Sequence, residues 1–147
     1  GVLDVFLDED VHIDKCYGVS AGSANAASFV AKQRGRNKRF YCEHSKDPEY
    51  FGVKSLVESG SLFGLQYIYG DLSNSDGKDP LDFESLIENP CQLTVVATDE
   101  KGRAAYFDKS DMEKDNYEVV MASSALPALC KPIEIDGNKY QVVIEKK

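Results

Sequence analysis

The stretch Tyr17-Gly18-Val19-Ser20-Ala21-Gly22-Ser23 constrains this chain more than any other, because it sets Gly-x-Ser-x-Gly between an apolar run and a helix-like run. That pattern describes a turn from strand to helix so sharp that the central serine is held in a strained backbone conformation with its hydroxyl exposed. Gly18 and Gly22 answer the same demand, since a Cβ at either position is expected to press on the turning backbone. Ile13 to Val19 reads as a short buried strand and Ala21 to Arg34 as a helix, so Val19 and Ala21 flank the turn as the pattern requires. A plainer reading stays open, in which Ser20 caps the helix that follows it.

At 147 residues and 42% hydrophobic content, the chain is expected to form one domain with a real core. Its 25 acidic against 17 basic residues give a net charge of −8, which argues against nucleic acid as a partner. Cys16, Cys42, Cys91 and Cys130 are widely spaced, and with only two histidines no metal site is expected. Free thiols in apolar runs suggest a reducing compartment, hence the cytoplasm. No apolar stretch approaches the roughly 20 residues needed to cross a bilayer, and no signal peptide is expected.

Val2, Leu3, Val5, Phe6 and Val11 form one apolar face of a first helix, which starts so abruptly that the chain reads as a fragment or a processed form. His12 at its exit reads as a surface histidine. In the helix after Ser20, the small side chains Ala21, Ala24, Ala27, Ser28 and Ala31 make a stripe suited to close packing on a sheet, and Gly35 is the expected stop. Lys32 to Arg39 holds five basic residues in eight, which reads either as a solvated helix end or as a contact for anionic lipid head groups.

A helix over Arg36–Ser45 is followed by short helices and loops through Tyr69, apolar enough to cover an acyl-chain groove or simply to pack as core. Asp71 to Asp79 reads as a loop, with Asp79 capping a helix that starts at Pro80. Gln92–Thr98 is a buried strand that turns at Lys101-Gly102 into Ala104–Phe107. Asp99 lies just past its end, as a hairpin-rim carboxylate or a functional group. Tyr117–Leu126 reads as a helix, and a second hairpin turns at Asp136-Gly137-Asn138.

Taken together, Gly1-Val2-Leu3-Asp4, Gly18-Val19-Ser20-Ala21-Gly22-Ser23, Gln33-Arg34-Gly35-Arg36-Asn37, Gly60-Ser61-Leu62-Phe63-Gly64, Val95-Val96-Ala97-Thr98-Asp99 and Ala122-Ser123-Ser124-Ala125-Leu126-Pro127 resemble the patatin-like phospholipase family in its bacterial form. The resemblance covers nearly the whole chain, as one partial domain over residues 1–147. It implies an α/β fold, an open sheet flanked by helices with strand, elbow and helix at its centre. It also implies a serine acyl hydrolase with a Ser-Asp dyad and no histidine or cofactor. Ser20 would be the nucleophile toward a lipid or other acyl ester, with peripheral membrane contact.

Two departures follow from the same resemblance. Family members carry a glycine-rich oxyanion loop before the opening helix, whereas this sequence starts at Gly1, after it. They also place the dyad aspartate in Asp-Gly-Gly or Asp-Gly-Ala two residues after the tyrosine matching Tyr140; here Val142 holds that position, followed by Val143-Ile144. Asp136-Gly137 belongs to the preceding turn and is not a substitute, and Asp99 is the remaining candidate base. The expectation is an inactive or nearly inactive hydrolase, or else a noncatalytic module that binds lipid or a partner. A Ser-His-Asp arrangement would need His44 as base, in the wrong chain order for an α/β-hydrolase.

Overall fold

The computed structural model describes residues 1–142. Its frame is a mixed sheet of five strands: β1 (Lys15–Val19), β2 (Gln92–Asp99), β3 (Ala104–Phe107), β4 (Ile133–Ile135) and β5 (Asn138–Gln141). β2 is the hub. β1 runs parallel to it from Lys15 opposite Gln92 to Val19 opposite Val96, and β3 returns antiparallel along its other edge. Thr98 faces Ala104 on one side and Gln141 on the other, so β5 takes the edge that β1 has just vacated. β4 then pairs outside β5.

Helices α1 (Val2–Asp8), α2 (Ala21–Val30), α3 (Arg36–Cys42), α4 (Val53–Ser59), α5 (Phe83–Glu88) and α6 (Glu118–Ser124) flank the sheet, with 3₁₀ turns at His44–Lys46 and Lys109–Asp111 and a π turn at Tyr67–Asp71. Alternation along β2 sends Leu93, Val95 and Ala97 inward. There they meet a core that includes Ala27, Phe29 and Val30 of α2 and Val119 and Val120 of α6. Ala27, Ser28 and Ala31 of the small-residue stripe are buried, whereas Ala21 is exposed.

The other sheet face is open. Tyr17 and Val19 of β1 are 66% and 43% exposed, and Tyr106 of β3 is 67% exposed, so β1 is not the buried strand its composition suggests. In α1, Val2 and Val5 face solvent, the packed side is Leu3, Phe6 and Leu7, and Val11 lies beyond the helix, also exposed. The i, i+3, i+4 set therefore falls one residue away from the expected face.

α2 stops at Val30, four residues before the expected end. Lys32 takes a left-handed φ of 56°. The Gln33 amide returns to the Ser28 carbonyl and the Lys32 amide to Phe29, a Schellman ending with lysine where glycine is usual. Gly35, with φ of 79°, begins α3 instead of ending α2.

Three of the five basic residues in Lys32 to Arg39 are taken up by partners, while Lys32 and Lys38 are exposed. Arg34 pairs with Asp8 at 2.5 Å, and Arg39 pairs with Asp79 at 2.6 Å. Arg36 is buried, donating to Ser28 Oγ at 2.9 Å, Ser73 Oγ at 2.8 Å and the Asp79 carbonyl at 3.1 Å. Burial pulls its pKa down to about 10, still charged at neutral pH, beside the Asp79 carboxylate. Asp79 is thus not a helix cap; Asp82 caps α5, accepting from the Ser85 amide at 3.1 Å. Burial opposes ionisation of Asp79, but hydrogen bonds from Arg39 and His44 outweigh it and hold the carboxyl below its ordinary value.

Leu65 and Ile68 of the apolar middle segment are core, while Phe51, Val53, Leu56 and Val57 around α4 are exposed. Among the described residues no helix is long and apolar enough to cross a membrane. The thiols of Cys16 and Cys91 lie 3.6 Å apart, and burial, then the contact with Cys91, pushes Cys16 up to about 11.

Candidate functional site around Ser20

β1 delivers Ser20 to the first turn of α2 with φ of 53° and ψ of −129°, a conformation that costs a non-glycine residue about 1–3 kcal/mol. Ser20 occupies the helix N-cap position, yet its side chain makes no capping hydrogen bond. Its backbone is committed instead. The carbonyl accepts from the Ser23 amide at 2.9 Å and from Ser23 Oγ at 2.6 Å. The Ser20 amide donates to Ser123 Oγ at 2.8 Å, and that hydroxyl donates onward to the Val96 carbonyl at 2.6 Å. The Ser20 hydroxyl has no hydrogen-bond partner among the described residues, and the residue is half-buried.

The two glycines of the motif play different parts. A Cβ at Gly18 would overlap the Ser23 backbone, with the Ser23 nitrogen at 2.8 Å, so this position requires glycine. Gly22 is a correction to the expectation: a Cβ there meets nothing within 4 Å. Val19 and Ala21, the remaining residues of the motif, are exposed.

Sheet register brings Val142 to the same place. Val19 faces Val96 and Gln141 faces Thr98 along one edge of β2, so the two strand ends stop two residues apart, about 7 Å. Ser20 enters this interval from one side and Val142 from the other, both at the level of Ala97. Val142 is 8% exposed, and its amide donates to the Ala125 carbonyl at the end of α6 at 2.9 Å. By register, the position that the resemblance reserves for an aspartate lies toward the elbow end of the same edge of β2 and is filled by an apolar side chain. Val143 and Ile144 lie outside the described residues.

The other candidates are held elsewhere. Asp99 closes the β2–β3 turn, its Oδ1 accepting from the Lys101 and Arg103 amides, each at 2.9 Å, and its Oδ2 from Arg103 Nε at 2.8 Å. The Arg103 amide and then its side chain hold this carboxyl below its ordinary value, which weakens it as a base. His44 Nε2 donates to the Asp79 carboxylate at 3.1 Å, just past the end of α3. His12 is a surface residue beside Asp10. Asp136, with φ of 50°, and Gly137 make the β4–β5 turn, as expected. No cluster of three His, Cys, Asp or Glu side chains among the described residues is placed to hold a metal ion.

Ser123 and Ser23 are the functional neighbours that sequence reasoning missed. Ser23 is visible in retrospect, three residues beyond Ser20 on the first turn of a helix. Ser123 is 103 residues away, and no local spacing announces it.

No curated protein matches the chain. The family model described as patatin-like phospholipase matches residues 1–142, the whole of the described structure. With its open sheet, its helices and Ser20 at the turn from β1 into α2, the chain belongs to the patatin-like phospholipase family.

Proposed function

We propose that the chain is a lipid acyl hydrolase scaffold in which Ser20 is the nucleophile and the base has been lost. The observation that carries this reading is the Ser20 hydroxyl, uncapped and held on a strained backbone at the head of α2. In the reaction, Ser20 Oγ attacks the ester carbonyl, its proton passes to a base, and the alcohol leaves with a proton. Water then releases the fatty acid from the acyl-enzyme. The positive end of the ten-residue α2 favours the oxyanion that forms in both steps. Val142 accepts no proton, so turnover by the unmodified chain is expected at or near background.

The test is hydrolysis of a short-chain p-nitrophenyl ester by four proteins: the chain itself, Ser20→Ala, Val142→Asp, and Val142→Asp with Val143→Gly and Ile144→Gly. Serine-dependent turnover that appears with the aspartate supports the reading. Turnover unaffected by Ser20→Ala sinks it. Serine-dependent turnover by the unmodified chain would move the base to Asp99, which Asp99→Asn then checks.

A second reading, a noncatalytic module that binds lipid, is favoured by the exposure of Val53 and Val57 on α4, 74% and 79%. Vesicle binding that survives Ser20→Ala and is lost in Val53→Asp with Val57→Asp would support it. Equal retention of both proteins by vesicles, or by neither, would count against it.

A further inference from the structure

We infer that Ser123 is a positioning residue for Ser20, acting as a hydroxyl relay between the elbow and β2. Its side chain is fully buried, on the last turn of α6. A serine hydroxyl has one proton to donate and lone pairs to accept. Here it accepts from the Ser20 amide at 2.8 Å and donates to the Val96 carbonyl at 2.6 Å.

β1 ends at Val19, opposite Val96, and Ser20 leaves the sheet with a positive φ. The donor on Ser20 and the acceptor on Val96 are separated at the point where the chain turns off. Ser123 joins them again, so that the strained residue is fixed to the central strand through a helix end that comes from the far side of the chain. A part-buried amide and a part-buried carbonyl would otherwise lose this pairing.

Two consequences follow. The relay selects the rotation of the Ser20 peptide and with it the direction of the Ser20 Cα–Cβ bond. It also consumes the Ser20 amide, so donation to an oxyanion from the elbow itself falls to Ala21 and Gly22, whose amides have no partner among the described residues. The catalytic part of this inference rests on Ser20 being the nucleophile; the structural part does not.

Amide hydrogen exchange followed by NMR tests the relay without needing activity. In the unmodified chain the Ser20 amide should exchange about tenfold or more slowly than those of Ala21 and Gly22; equal rates overturn the inference. In Ser123→Ala the Ser20 amide should accelerate by several-fold to about tenfold, while Val95 of β2 and Val30 of α2 keep their rates. Uniform acceleration of all three, or none at Ser20, also overturns it. Ser123→Thr, which keeps the hydroxyl, should restore Ser20 protection.

In Val142→Asp, adding Ser123→Ala should lower kcat and leave KM unchanged, since the substrate-binding surface is untouched. A rise in KM alone would deny Ser123 the positioning role. Absence of turnover in Val142→Asp by itself counts against the hydrolase reading, and the exchange rates still decide the relay.

Discussion

β1 and β5 reach the same edge of β2 from opposite directions, and they arrive in different states. β1 leads into a serine whose backbone is tied by hydrogen bonds to α2 and, through Ser123, to β2. β5 leads into a buried valine with one backbone bond to α6 and no polar side chain to offer. Sheet register sets where both strand ends stop, and it does so whichever side chain the next residue carries.

Putting a carboxylate on the poorer side should break the contrast. Val142→Asp is expected to raise Ser20-dependent ester turnover by roughly 10²–10⁴, the usual worth of a positioned base. The same change should lower stability by about 1–3 kcal/mol, since a polar group replaces a buried apolar one. A rate assay and a urea melt on one preparation check both.

The richer side depends on the frame behind α2, where Arg36 ties Ser28 to Asp79. Asp79→Asn leaves Arg36 and Arg39 without their counter-charge and should cost about 3–5 kcal/mol. Because the folded carboxyl is held below its ordinary value, its contribution is complete above about pH 4, the unfolded value, and fades as pH falls through the lower folded value. Urea melts at several pH values should therefore converge for the two proteins in acid.

Within the elbow, Gly18→Ala should cost about 2–3 kcal/mol, because the new methyl must displace the Ser23 backbone. Gly22→Ala, by contrast, should be neutral or stabilising by up to about 1 kcal/mol as a helical substitution. Thermal melts of the pair separate a required glycine from a tolerated one. At Asp99→Asn, a thermal melt should show only a slight loss from the loosened turn, with ester turnover in Val142→Asp unchanged.

The sequence was most legible where the determinants are local. The elbow, the Lys101-Gly102 turn and the Asp136-Gly137 turn each lie within a few residues, and glycine, serine and aspartate announce them directly. The end of α2 was not legible, because Lys32 takes the left-handed position while Gln33 is clamped from outside by Pro80 and Asp82. The roles of Arg34, Arg36 and Arg39 were not legible for the same reason. Their partners, Asp8 and Asp79, come from other parts of the chain, and spacing along a sequence carries no record of them. Asp79 read as the cap on paper; the buried arginine takes it up, and Asp82 caps α5 in its place. At the site, Ser20 and Gly18 could be read, Gly22 was credited with a constraint it does not bear, and Ser123 was read as part of a family motif without its contact to Ser20.

The open sheet face bears on how the protein behaves in solution. Tyr17, Val19 and Tyr106 present an apolar strip across β1 and β3. β1 is bonded to β2 on one edge only among the described residues, and an apolar strip beside an unpaired strand edge is a surface on which copies of a chain stack. A net charge of −8 keeps copies apart while their fields overlap. Added salt shortens that reach to a few ångströms, so this chain is expected to associate more readily as ionic strength rises, opposite to the response of a protein that associates through ion pairs.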